Sequence, residues 1–184
     1  MSTDTPRATA PDQEPAEQAP AEQAPWLTPG QQRDWRSLLG LLMTLPAALD
    51  AQLKRDAGVN VFEYSVLAAL SEAPDRALAL SDLAALAQGS LSRLSHAVTR
   101  LERSGWVERC PAVDQAGRRT QARLTDGGMV KVKEIAPGHV REVRRLVVDS
   151  LTPEQLVALG EAARTIAAVT TAGASDACRR VGDC

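Results

Sequence analysis

Apolar residues recur in steps of three and four along most of the chain, the spacing that keeps them on one face of a helix. Trp35, Leu38, Leu42, Leu45, Leu49 and Leu53 make one such stripe. Thr28, Pro29 and Gln31 precede it as a capping threonine, a first-turn proline and the partner of a capping box. Pro46 is expected to kink this first helix, and Gly58 to end it. Phe62, Val66, Leu67 and Leu70 form a second helix, capped by Asn60 with Glu63 and closed by Ala73-Pro74. Ser81 is expected to cap a short third helix that stops at Gly89. Ser90 then caps a fourth, LSRLSHAVTRLERS, which stops at Gly105.

Beyond Gly105 the period changes. WVERC and RTQARL read as two strands joined by a turn-forming loop with Asp114 and Gly117. Thr125 opens another long helix with Met129, Val132, Ile135, Val143, Leu146 and Val147, expected to be interrupted near Pro137-Gly138. A second T-P-E-Q, at Thr152, starts the last helix, and the chain is expected to fray past Ala172.

Two short helices joined by a glycine turn and followed by a hairpin predict a mainly α fold with a small β-hairpin wing, a winged helix-turn-helix. That module needs only residues 60–125 or so. The helices at about 28–57 and 125–172 are left with apolar stripes to cover, which predicts N- and C-terminal dimerisation helices in a homodimer. Residues 1–27 read as a disordered acidic tail rich in Pro, Ala, Glu and Gln, and 173–184 as a flexible tail. One domain, 28–172, lies between them.

Charge sharpens this division. The formal net charge is -2, but residues 1–25 carry one cation against five acids, while 81–123 carry seven arginines against four acids. In the fourth helix Leu91, Leu94, Val98 and Leu101 must face the core. Arg93, His96, Arg100 and Arg103 must then face away, with Ser92, Ser95 and Thr99 beside them. Such a face suits a DNA major groove, where Arg bridges guanine O6 and N7 and hydroxyls reach phosphate. Arg93 is the first choice for base contact. Arg118 and Arg119 at the hairpin tip suit a minor groove, with Asp114 bracing one of them.

LSRLSHAVTRLERSGWVER, then D-x-x-GRR, then RLTDGG resemble the recognition helix, wing and following helix start of the MarR family of transcriptional regulators, and LTPEQL resembles the start of its last helix. The resemblance runs from about Trp35 to about Ala172. It implies that Ser90, Ser92, Arg93, Ser95, His96, Thr99 and Arg100 face the major groove of a pseudo-palindromic operator, and that Arg118 and Arg119 make the wing's contacts. It also implies a repressor released by a small-molecule effector whose identity nothing in the sequence fixes.

Other functions find less support. His96 and His139 have no cysteine near them in sequence, so no nucleophile-base pair marks an enzyme. Cys110, Cys178 and Cys184 lack metal-ligand spacing, and no metal or cofactor is expected. An odd cysteine count without a signal peptide suits a reducing cytoplasm, and no apolar stretch is long enough to span a bilayer. Two alternatives remain: a redox-sensing regulator switched through Cys110 on the first wing strand, and a winged-helix module that binds protein instead of DNA.

Overall fold

A computed structural model describes residues 25–114 and 117–181, with side chains described for 25–111 and 120–170. The elements are α1 (Pro29–Ala57), α2 (Val61–Glu72), β1 (Ala77–Ala79), α3 (Leu80–Leu86), α4 (Leu91–Arg103), β2 (Val107–Asp114), β3 (Gly117–Leu124), α5 (Asp126–Leu146) and α6 (Pro153–Val181). The chain divides into two units, residues 1–38 and 39–184. In the first, the amide of Thr28 donates to Gln31 Oε1 at 2.9 Å and Thr28 Oγ1 accepts from the amide of Gln31 at 3.3 Å, the expected capping box.

In the second unit the core is the meeting point of α2, α3, α4, the sheet and α5. Val66, Leu67, Leu70, Leu83, Leu94 and Val98 are fully buried there, with Val107, Ala122, Leu124 and Val132 closing it from the sheet and α5. Each buried Val or Leu there contributes about 1.5–3 kcal/mol through apolar burial. A smaller cluster of Leu53, Val59 and Ile135, flanked by Tyr64 and Trp106, joins the end of α1 to α2 and α5.

The caps follow the sequence closely. Asn60 and Glu63 complete the capping box of α2. Ser90 Oγ accepts from the amide of Arg93, and Thr125 Oγ1 from that of Gly128. Gly58 and Gly105 take φ of 73° and 72°, where a side chain would be strained.

Several expectations are corrected. Helix α3 begins at Leu80 with Ala79 at its N-cap and no side-chain cap, because β1 runs directly into it, and Ser81 Oγ turns to Asp82 instead. Strand β1, three residues long, carries no periodic signal. It pairs antiparallel with β3, Leu78 opposite Ala122, and gives the sheet the order β1-β3-β2. The left-handed residue after α3 is Gln88 (φ 54°), not Gly89. Gly89 serves packing instead: a Cβ there would sit 2.4 Å from Phe62 Cε2.

The hairpin is longer than expected. PAVD and GR continue the strands, so that Asp114 pairs with Gly117 at the end of the ladder and only Gln115 and Ala116, outside the described residues, lie between. Helix α5 passes through Pro137 and Gly138 without interruption. Proline there removes one hydrogen bond, to the carbonyl of Lys133, at an exposed position of the helix. Pro46 lies inside α1, which runs on to Ala57, before Gly58. Helix α6 continues past Ala172 to Val181. Leu91, placed in the core by its stripe, is 59% exposed.

Candidate nucleic-acid interface

Helix α4 buries Leu94, Ala97, Val98 and Leu101 and turns its other side outward, so its polar residues collect on one exposed face. That face and the start of α2 border an open concavity of about 700 Å³, lined among others by Asn60, Phe62, Ser92, Arg93, His96 and Arg100.

The expected site residues fall into distinct states. Ser92 and His96 are exposed, and neither side chain meets a hydrogen-bonding partner among the described residues. The Arg93 guanidinium lies over the Phe62 ring, 4.2 Å from its centroid, with no hydrogen bond from its N–H donors among the described residues. Stacking fixes the plane of a guanidinium while leaving the donors on its rim available. The Asp50 carboxylate, held below the usual range chiefly by its bond to Lys54 and then by the amide of Val61, lies within electrostatic reach of Arg93.

Arg100 is committed within the fold. Its Nη2 stands 2.6 Å from Glu63 Oε1, while Glu63 Oε2 accepts from the amide of Asn60 at 2.9 Å. Glu63 is only 7% exposed. A carboxylate so buried needs partners for its oxygens, and Arg100 with the Asn60 amide supplies them. The Asn60–Glu63 box was legible from sequence; its second role in holding Arg100 had no signal there.

Ser95 and Thr99 are tied to a residue that sequence reasoning missed. Arg109, on β2, donates from Nη2 to the Ser95 carbonyl at 3.0 Å and to Thr99 Oγ1 at 3.1 Å. Its Nη1 pairs with Glu102 Oε2, and its amide donates to Glu102 Oε1 at 2.9 Å. Thr99 Oγ1 donates in turn to the Ser95 carbonyl. The first wing strand is thus fastened to α4 by charge-assisted hydrogen bonds, which sets the base of the hairpin against the helix. Ser90 spends its acceptor on capping α4, and Arg103 is exposed in its last turn.

On the hairpin, Val113 pairs with Arg118 and Ala112 with Arg119, which places both arginines in the last rungs of the ladder. The side chains of Asp114, Arg118 and Arg119 lie outside the described residues, so the expected brace does too. Cys110 is half-buried on β2, its Sγ 4.0 Å from the Gln121 carbonyl oxygen. Among the described residues, no cluster of His, Cys, Asp or Glu could hold a metal ion, and no helix is long and apolar enough to cross a membrane.

A helical lobe whose second short helix presents a polar, arginine-bearing face beside a three-stranded sheet drawn out into a hairpin defines a winged helix-turn-helix protein. Solved structures agree. The chain is 46% identical to Sco3205, a MarR family transcriptional regulator from Streptomyces coelicolor crystallised in complex with DNA, over 77% of this chain and 89% of that one, with a TM-score of 0.73. It is 35% identical to AbsC, a MarR family transcriptional regulator of the same organism, over 80% and 98%, with a TM-score of 0.74. A MarR family regulator from Silicibacter pomeroyi matches at 25% identity over 76% and 95%, with a TM-score of 0.59. Neither a scan against family models nor a search of curated proteins finds a match. The chain belongs to the MarR family of transcriptional regulators.

Proposed function

We propose that this chain is a homodimeric regulator that binds double-stranded DNA sequence-specifically, with α4 in the major groove and the β2–β3 hairpin beside it, and that it acts as a repressor released by a small molecule. The observation that carries this reading is the exposed Ser92–Arg93–His96 end of α4, on a fold 46% identical to a relative crystallised with DNA. The arginines of the hairpin, Arg118 and Arg119, supply the phosphate or minor-groove contacts.

Dimerisation is supported by apolar side chains that the single chain leaves uncovered. Leu41, Leu42 and Met43 of α1 and Val157, Ile166 and Val169 of α6 are 39–71% exposed. A second copy related by two-fold symmetry covers them and presents two recognition helices about 34 Å apart, one turn of duplex. Release by an effector is supported by a second crevice, of about 620 Å³, between α1 and α2, bordered by Met43, Asp50, Lys54 and Ser65. Phe62 and Arg93 line both this crevice and the concavity on the α4 face. A ligand that draws on Arg93 there has different affinities for DNA-bound and free states, which is what shifting the equilibrium requires.

Selection from random duplexes with the full-length chain, followed by light scattering of the free protein and of the complex, tests this reading. The expected result is a pseudo-palindromic sequence bound by two protomers, and a dimer in the absence of DNA. A monomer in both states, or no enriched sequence, contradicts it.

A further inference from the structure

Leu91 is the first residue of α4 and is 59% exposed, whereas Leu94, Val98 and Leu101, which continue its stripe, are at most 1% exposed. The cause is positional. Side chains on a helix lean toward its N-terminus and cover the turn before their own, and at the first position there is no such turn. The isobutyl group therefore projects from the end of the helix, between Ser90 and Ser92.

That end of a recognition helix is the part that reaches base edges. Several polar groups on the same face are already engaged: Ser90 Oγ caps the helix, the Ser95 carbonyl and Thr99 Oγ1 hold Arg109, and Arg100 is paired with Glu63. The groups left near the tip are Leu91, Ser92, His96 and the rim of the Arg93 guanidinium, of which Leu91 alone is apolar. Of the four base edges in the major groove, thymine alone presents an apolar group, its C5-methyl.

We propose that Leu91 determines specificity by packing its exposed isobutyl group against a thymine C5-methyl, so that each half of the operator carries thymine at that position. The proposal rests on the DNA-reading function above and assigns one of its contacts. It also accounts for a large apolar side chain left uncovered beside Ser90, Ser92 and Arg93.

The test removes only the methyl. In an operator enriched from random duplexes, each dT is replaced in turn by dU, which keeps Watson–Crick pairing, and binding is measured for the full-length chain and for Leu91→Ala. The wild type should lose about fourfold in affinity at one thymine per half-site, the worth of one buried methyl group. Leu91→Ala should bind the unmodified operator about as weakly and show no further loss with dU at that position. Indifference of the wild type to every exchange, or an equal loss in both proteins, overturns the proposal; the first of these needs no variant, so a folding defect in Leu91→Ala cannot hide it. Failure to enrich any sequence defeats the DNA-reading function itself and takes this contact with it.

Discussion

At the scale of single residues, the arginines around α4 divide into those paired within the fold and those whose donors are left free. Arg100 is the ion-pair partner of the nearly buried Glu63. Arg100→Ala should therefore destabilise the fold by about 1–3 kcal/mol, the cost of leaving a buried acceptor without its partner. Adding Glu63→Gln should restore most of the loss, because Gln keeps an acceptor for the Asn60 amide and removes the stranded charge. Urea unfolding of the single and double variants checks this, and strictly additive losses would contradict it. Arg109 has a different role, since its partners Glu102, Ser95 and Thr99 all belong to α4 while it lies on the wing. Arg109→Ala should cost about 1–2 kcal/mol, discounted because the pair is partly exposed, and should weaken operator binding further by freeing the hairpin from α4. Thermal melts beside binding isotherms separate the two effects. Neither role was legible in the sequence: Glu102 and Arg109 lie seven residues apart across a helix end and a strand, a spacing that matches no local motif. The unpaired end of α4 was legible, because Ser92 and His96 are set outward by the period of the helix alone.

At the scale of elements, caps and periods carried most of the information. Asn60, Ser90, Thr125 and Thr152 each start a helix by accepting an amide three residues on, a local interaction that sequence spacing states directly. What spacing could not state was pairing between distant segments. Strand β1 exists because Ala77–Ala79 meets Gln121–Arg123 across the fold, and the hairpin extends to Asp114 and Gly117 because ladder bonds override turn-favouring residues. Leu91 misled for a similar reason, since its stripe outlasts the helix that would cover it. Gly89 ties the helix-turn-helix to α2, as its missing Cβ leaves room for the Phe62 ring on which Arg93 lies. Gly89→Ala should displace that ring, cost about 1–3 kcal/mol by overpacking, and weaken operator binding more than Gly40→Ala, where a Cβ meets nothing within 4 Å. Equal binding by the two variants would show that the Phe62–Arg93 contact has no part in recognition.

At the scale of the whole molecule, the 39–184 unit joins its DNA-reading lobe to α1 and α5 through a small polar contact. His139 Nδ1 lies 3.3 Å from Gln52 Oε1, Gln52 Nε2 donates to Asp56 at 2.9 Å, and the His139 ring meets Tyr64 edge-on at 4.6 Å. Burial holds the imidazole below its ordinary value of 6.5, so the unfolded chain takes up the proton first as pH falls. The neutral form's contribution is present above pH 6.5 and is lost as pH drops through the range just below it. Chemical denaturation should find the protein less stable at pH 5.5 than at 7.5, with a smaller difference in His139→Gln; the same difference in both would refute this assignment. Recognition of DNA belongs to the other end of the lobe in the proposed function, at the tip of α4. Fluorescence anisotropy on enriched and scrambled duplexes across a salt series, with wild type, Arg93→Ala and His96→Ala, tests it most directly. Binding to the enriched duplex should be tighter, fall with salt, and lose about 1–3 kcal/mol in Arg93→Ala, with a smaller loss in His96→Ala. Equal binding to both duplexes, unchanged by either substitution, would contradict recognition by this helix.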